Sequence, residues 1–169
     1  IHYKRLDKNG NFLVSDKKLA SDNAVNFDTS LKSNVTAAIY QNILNEIFYL
    51  KINSDGSASV NKKIINSMSN PSLTLSNNAN IVLVNSQNNI EYGLFDFNGN
   101  LLANVTAITS SGLASNPDII SDASNNAHII WEDSRFGKKD VLYTKLDSNG
   151  NVVKSEVKVT DNATNAINL

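Results

Sequence analysis

Three features of this sequence predict an all-β chain built from repeats. First, a short Asx-x-Asx-Gly signature recurs: "LDKNG" at 6–10, "INSDG" at 52–56, "FDFNG" at 95–99 and "LDSNG" at 146–150. Its glycines, Gly10, Gly56, Gly99 and Gly150, fall at intervals of 46, 43 and 51 residues. Second, longer segments keep the same rhythm. "SNPSLTLSNNANIVLVNS" (69–86) parallels "SNPDIISDASNNAHIIWEDS" (115–134), setting Pro71 against Pro117. Third, an aromatic-bearing apolar run leads into each signature: "IHYKRLD" (1–7), "NEIFYLKIN" (45–53), "IEYGLFDF" (90–97) and "DVLYTKLD" (140–147). Self-similarity at this period marks a repeat architecture, in which each unit buries its apolar face only by stacking on a neighbour.

The last full copy shows what one unit contains. Pro117–Ser121 reads as a short first strand and Ala127–Glu132 as an apolar second strand. Asp140–Leu146 alternates Val141, Tyr143 and Lys145 against Leu142, Thr144 and Leu146, and Asn151–Thr160 is a longer, more polar fourth strand. β-Branched and aromatic enrichment, short lengths and Gly/Asn/Pro punctuation favour strands, and no segment sustains a helical period with caps. Four antiparallel strands per unit of about 43–51 residues is the blade of a β-propeller, here a partial one. A parallel β-helix would need a much shorter period, and an immunoglobulin-like sandwich would not repeat internally in this way. The predicted division is 1–24, strands three and four of an incomplete blade; 25–69, 70–115 and 116–164, three blades; and 165–169, the first strand of a next blade.

The stretch "NPDIISDASNNAHIIWEDSRFGKKDVLYTKLDSNGNV", which begins at Asn116, resembles the sialidase-like (BNR-type) propeller repeat. In that family a Pro-containing first strand leads through a W-x-D-x-R-type second strand into an aromatic third strand. The resemblance is good over 116–160, weaker over 70–109 and faint over 25–66. The chain departs from the pattern in lacking the S-x-D-x-G-x-T-W Asp-box turn, and only one copy carries Trp131-Glu132-Asp133-Ser134-Arg135.

The recurring signature admits a calcium loop or a hairpin turn. An EF-type loop also needs ligands at its ninth and twelfth positions and flanking helices. Counted from Asp147 these positions are Ser155 and Lys158, and from Asp7 the twelfth is Lys18, cations where a bidentate Glu belongs. A hairpin needs only Asn or Asp, which tolerate positive φ, and a glycine that adopts it freely. The turn reading is preferred, and it calls for no metal and no cofactor.

Bulk composition narrows the function further. The formal net charge is −1 and no basic block occurs, which argues against a nucleic-acid partner. Cysteine is absent, so disulfides, thiolate metal sites and cysteine nucleophiles are excluded. No apolar stretch approaches the roughly 20 residues of a membrane span. Asn and Ser exceed a quarter of the chain, which suits many short strands joined by turns and equally suits an AT-rich genome. The opening Ile1-His2-Tyr3-Lys4-Arg5 has no initiator Met, as expected of a mature or excised piece.

Antiparallel connectivity sorts the loops onto two rims. The Asx-x-Asx-Gly hairpins share one with the "SNN" turns at 76–78 and 124–126; the other receives "EDSRFGKKD" (132–140), "NSQNN" (85–89), "QNILN" (41–45) and the Ser-Asn-Pro links. By family analogy, propellers bind ligands on the second rim. Its densest charge cluster nominates Trp131, Asp133, Arg135 and Asp140 as candidate ligand-binding residues, because Arg and Trp suit sugar or carboxylate recognition. The competing reading has Arg135 tying Asp133 or Asp140 across its own loop and Trp131 packed between blades, and the sequence favours it. His2 and His128 are expected to fill or flank strands.

Catalysis finds little support. Sialidases resembling this repeat hold their substrate with three arginines and a Tyr nucleophile, whereas Arg5 and Arg135 are the only arginines here. No facing carboxylate pair and no nucleophile elbow is evident, so no catalytic residue is nominated. The expected function is a non-catalytic interaction or scaffold module, glycan- or protein-binding, of a secreted or cell-surface protein. The alternative is a fragment of a sialidase-like glycoside hydrolase whose catalytic residues lie outside this chain. Three sequons, at Asn34, Asn104 and Asn162, add slightly to the extracellular expectation. Together the two ends supply strands one, three and four of a blade without its apolar second strand. The isolated chain is therefore expected to pair with another chain or with missing blades, forming an oligomer rather than a closed monomeric ring.

Overall fold

The structure, a computed structural model, describes residues 1–20, 23–32, 35–77, 80–86 and 88–160, the segment 80–86 by its backbone alone. A hairpin of β1 (His2–Leu6) and β2 (Phe12–Lys18) comes first. Three four-stranded antiparallel sheets come next, in sequence order. The first blade is β3 (Ala24–Lys32), β4 (Val35–Asn42), β5 (Ile47–Ile52) and β6 (Ala58–Ile65). The second is β7 (Ser69–Leu75), β8 (Asn80–Ser86), β9 (Asn89–Phe95) and β10 (Leu101–Ala107). The third is β11 (Ala114–Ser121), β12 (Ala127–Asp133), β13 (Asp140–Leu146) and β14 (Val152–Lys158). No helix occurs among the described residues. The chain is thus an all-β protein made of propeller blades.

The sheets stack face to face, and strand alternation decides what each face carries. Between the first and second blades lie Ala37, Ile39, Ile47 and Tyr49 on one side and Leu73, Leu75 and Phe95 on the other. Between the second and third lie Ile90 and Leu94 against Ala114, Ile119, Ala127, Ile129, Trp131, Leu142 and Leu146. The hairpin covers Ala38, Tyr40, Leu50 and Ile52 with Ile1, Tyr3, Leu19 and Ala20. The middle strands β4, β5, β12 and β13 are therefore buried on both faces, while the outer β6, β10 and β14 are largely exposed. Three of the four outer edges carry lysine (Lys17 and Lys18, Lys62 and Lys63, Lys154 and Lys158), which discourages edge-to-edge pairing.

The recurring signature forms the turns into the outer strands. In each, the glycine N–H donates to the Asx carbonyl, at 3.1 Å for Gly10, 2.9 Å for Gly56 and 3.0 Å for Gly99 and Gly150. All four glycines have positive φ, from 73° to 85°. In three copies a further residue completes the device: Asn11, Asn100 or Asn151, four positions after the aspartate. Asp7 Oδ1 accepts the N–H groups of Asn9 and Asn11 at 2.8 and 2.9 Å, and Oδ2 accepts Asn11 Nδ2 at 3.0 Å. Asp96 and Asp147 repeat the arrangement. Asp122 builds the same turn between β11 and β12, with Asn125 (φ 64°) where the others have glycine.

These turns also join blades. A Cβ added to Gly56 would lie 2.7 Å from Val14 Cγ1 and 3.0 Å from Tyr3 Cδ1 of the hairpin. Gly99 abuts Tyr49 of the first blade in the same way, at 3.1 Å, and Gly150 abuts Leu94 and Tyr92 of the second at 3.1 and 3.2 Å. The tyrosine hydroxyl adds a bond in two cases, Tyr92 Oη donating to the Gly150 carbonyl at 2.6 Å and Tyr49 Oη to the Phe97 carbonyl at 3.5 Å. The first strand expected at 165–169 and the sequon residues Asn34 and Asn162 lie outside the described residues.

Candidate functional site

Hydrogen bonds between loops and links define the rim opposite the Asx turns. Ile43 N–H donates to Asn23, Met68 to Asn45, Ala114 to Asn88 and Ser134 to Leu113. Each bond ties a second-to-third-strand loop to the link that enters an innermost strand. This rim exposes apolar side chains: Ile43 and Leu44 between β4 and β5, Phe136 between β12 and β13, Leu113 in a link, and Phe27 at the head of β3.

The four residues nominated from sequence meet on this rim in different ways. Trp131 is fully buried in the core between the second and third blades, and its indole Nε1 has no hydrogen-bond partner among the described residues. Asp133 is also fully buried. It accepts Arg135 Nη2 at 2.6 Å, the Arg135 backbone N–H at 2.9 Å and Ser111 Oγ at 3.2 Å. Burial pushes the Asp133 carboxyl up, but these bonds and the Arg135 charge outweigh it and hold the group below the usual aspartate range. Arg135 reaches past Asp133 to grip both carboxylate oxygens of Glu156 at 2.9 Å, a bidentate pair. Asp140 is paired with Lys158 at 2.8 Å and Thr160 Oγ1 at 2.9 Å, and the Lys158 bond is the main cause of its lowered pKa. Next to them the buried Glu132 accepts Lys139 Nζ at 2.6 Å and Asn116 Nδ2 at 3.1 Å. The charges of the cluster are therefore paired from within; the Arg135, Lys139, Glu156 and Lys158 side chains stay partly exposed, and Arg135 and Lys158 lie over the exposed Phe136 ring.

His128 bridges Asp122 (3.1 Å from Nε2) and the Tyr143 hydroxyl (2.9 Å from Nδ1), and His2 meets Asp16 at 2.7 Å. Among the described residues, no three His, Asp or Glu side chains converge as a metal site.

A second constellation was not read from the sequence. The innermost strands β3, β7 and β11 run side by side, and each carries a related triplet near its start: Asn26-Phe27-Asp28, Asn70-Pro71-Ser72 and Asn116-Pro117-Asp118. The first two residues of each triplet line a shallow mouth of about 200 Å³. Asn70 and Asn116 hold φ of 46° and 49°, a left-handed conformation open to Asn; the proline next in the chain disfavours right-handed α at these positions. Each sits in a bulge, between Ser69 and Ser72 and between Ser115 and Asp118, and bulges re-aim side chains. Asn26 Nδ2 donates to Asn70 Oδ1 at 3.2 Å and to Gln41 Oε1 at 3.1 Å, linking the first two blades across the mouth.

One turn deeper, Ser72 Oγ lies 3.0 Å from Asp28 Oδ2 and 3.1 Å from Asp118 Oδ1. A hydroxyl carries one hydrogen, so Ser72 donates to one carboxylate at a time. The triplet repeat was the available signal. It is obscured in sequence because Phe27 stands where the other copies have proline.

No protein-family model matches the chain, and no curated protein matches it. Solved structures are similar to it. The GH43 endo-arabinanase from Bacillus licheniformis matches with a TM-score of 0.54 and 13% identity over 82% of this chain and 60% of that one. TolB from Acinetobacter baumannii matches with a TM-score of 0.57 and 15% identity over 97% of this chain and 38% of that one. The Dos1 propeller matches with a TM-score of 0.57 and 11% identity over 96% of this chain and 44% of that one. The chain spans less than two thirds of the length of each. At such identities the likeness shows the fold alone, a β-propeller.

Proposed function

We propose that this segment is a non-catalytic interaction module, part of the wall of a sialidase-like propeller on a secreted or cell-surface protein, and that its ligand face is the rim carrying the β4–β5 and β12–β13 loops. The observation that carries the reading is the amide-lined mouth, which opens on this rim beside exposed apolar side chains. The Asx turns bond mostly to themselves and to the preceding blade. The opposite rim presents Ile43, Leu44, Leu113, Phe27 and Phe136 to solvent beside an amide-lined mouth. Exposed apolar groups flanked by hydrogen-bonding side chains suit a protein segment or a sugar face. Within the sequence-nominated set, Arg135 supplies the accessible edge, with Trp131, Asp133 and Asp140 fixing the loop behind it. The exposed sequon residue Asn104 on β10 is compatible with an extracellular setting.

A second reading rests on the axial pair. Asp28 and Asp118 approach one hydroxyl from two blades, and two carboxylates in one site are the minimum equipment of a glycoside hydrolase. One experiment separates the two. A random-peptide display library and a soluble oligosaccharide array are panned against the protein, and selected ligands are rebound to Phe136→Ser, Arg135→Ala and Asn149→Ala. Binding lost with Phe136→Ser, weakened with Arg135→Ala and kept with Asn149→Ala is expected. The reverse pattern would overturn the rim assignment. Release of reducing sugar from linear arabinan, abolished by Asp118→Asn, would establish the hydrolase instead.

A further inference from the structure

The four outer strands differ in charge. β2 carries Asp16, Lys17 and Lys18, β6 carries Lys62 and Lys63, and β14 carries Lys154, Glu156 and Lys158. β10 reads Leu-Leu-Ala-Asn-Val-Thr-Ala and holds no charge, no proline and no glycine. It pairs with β9 alone, so one row of its N–H and C=O groups faces outward, and nearly all of its length is exposed. The two shifts of register it makes against β9 do not set it apart, since β2, β6 and β14 each make two against their own partners. Its blade has all four strands and stands between two that also have four, so no further propeller strand belongs on this edge.

An uncharged, exposed edge of this kind is a template for another strand. Lysines on the other three outer strands repel a like edge, whereas β10 has nothing that repels its own copy. Laid antiparallel about Asn104, it is also complementary to itself: Leu101 opposes Ala107, Leu102 opposes Thr106, Ala103 opposes Val105 and Asn104 opposes Asn104. Each larger apolar side chain meets a smaller partner, and the two amides meet at the centre, where each both donates and accepts. Thr106 and Ala107, which would face the second copy's leucines, line a cleft of about 210 Å³ between the second and third blades, with Ile108, Leu146 and Val152. Leu101 and Leu102 are 49% and 56% exposed, so seating them there removes apolar surface from water.

We infer that two copies of this chain pair edge to edge through β10, antiparallel and about a two-fold axis at Asn104, joining their second blades into one continuous sheet. The contact is isologous: the same strand serves on both sides, and the pair is closed. It lies on the outer edge of the blade, whereas the mouth lies among the innermost strands, so the proposed ligand face stays free. A glycan on Asn104 would crowd the axis, so the pairing belongs to the unmodified chain.

The test is sedimentation velocity on the full chain, produced without glycosylation, over a wide concentration range and with three variants. Asn104→Lys gives β10 the guard that the other outer strands carry, and in the pair its two ammonium groups would face each other. Asn104→Asp sets two carboxylates together in the same way. Asn61→Lys, at an exposed position on β6, is the control. Wild type and Asn61→Lys should associate alike. Like charges directly opposite on paired strands are destabilising, so Asn104→Lys and Asn104→Asp should each associate at least about tenfold more weakly, equivalent to about 1.4 kcal/mol. An equimolar mixture of these two variants should recover association that neither shows alone, because opposite charges then meet across the axis; recovery also shows that both variants fold. A wild type that stays monomeric throughout, association indifferent to Asn104→Lys, or no recovery on mixing would each overturn the proposal. The first of these would leave the edge to a strand of another protein.

Discussion

Replacing Gly56 with alanine separates two costs that usually arrive together. At φ 79° an L-residue is strained by the left-handed conformation, by about 1–2 kcal/mol. The new methyl also lies 2.7 Å from Val14 Cγ1 and 3.0 Å from Tyr3 Cδ1, closer than carbon atoms pack. Val14 is β-branched and buried on a strand, so it cannot swing clear without leaving its rotamer. Overpacking of this kind costs about 1–3 kcal/mol. Gly10→Ala incurs the first cost and not the second, since φ is 85° and nothing lies within 4 Å. Urea unfolding, followed by far-ultraviolet circular dichroism at a dilution where the chain is monomeric, should show a loss of about 2–5 kcal/mol for Gly56→Ala. Gly10→Ala should lose about 1–2 kcal/mol. In thermal melts each kcal/mol corresponds to about 2–4 °C for a chain of this size. Equal losses in the two variants would refute the reasoning, because the blade-joining role of the turn would then contribute nothing.

Two further outcomes concern the turns. Thermal melts in calcium and in chelator should coincide, since Asp7, Asp96 and Asp147 already commit both carboxylate oxygens to their own loops and Lys18 and Lys158 stand where a calcium loop needs glutamate; a large calcium-dependent rise in midpoint would count against the turn reading. The same carboxyls titrate below the usual range, chiefly through the side-chain bond from Asn11 for Asp7 and from Asn151 for Asp147 and the backbone bond from Asn100 for Asp96. A pKa depressed by folding contributes stability above the unfolded value of about 3.9 and loses it as pH falls through the folded value. Melting midpoints should therefore hold steady from neutrality to about pH 5 and fall below about pH 4. A decline already under way near pH 6 would point to a histidine instead of these turns.

Local chemistry made the blades readable in advance. An Asp or Asn three residues before a glycine writes a hairpin whatever surrounds it, because the hydrogen bonds that close the turn come from neighbours within the turn itself. Alternation such as Val141, Tyr143, Lys145 against Leu142, Thr144, Leu146 writes a strand buried on both faces. Repetition of the two every 43 to 51 residues leaves few folds open. What each residue does once buried depends on distant chain. The sequence favours Trp131 packed between blades and Arg135 tied to Asp133, but it does not name what surrounds them; the second blade, through Ile90 and Leu94, joins the core that encloses the first, and Ser111 helps satisfy the aspartate. The mouth and the Asp28–Ser72–Asp118 contact join positions 44 and 46 residues apart, which no local pattern specifies. Stacking decides them, since only when β3, β7 and β11 lie side by side do three separate triplets become one surface.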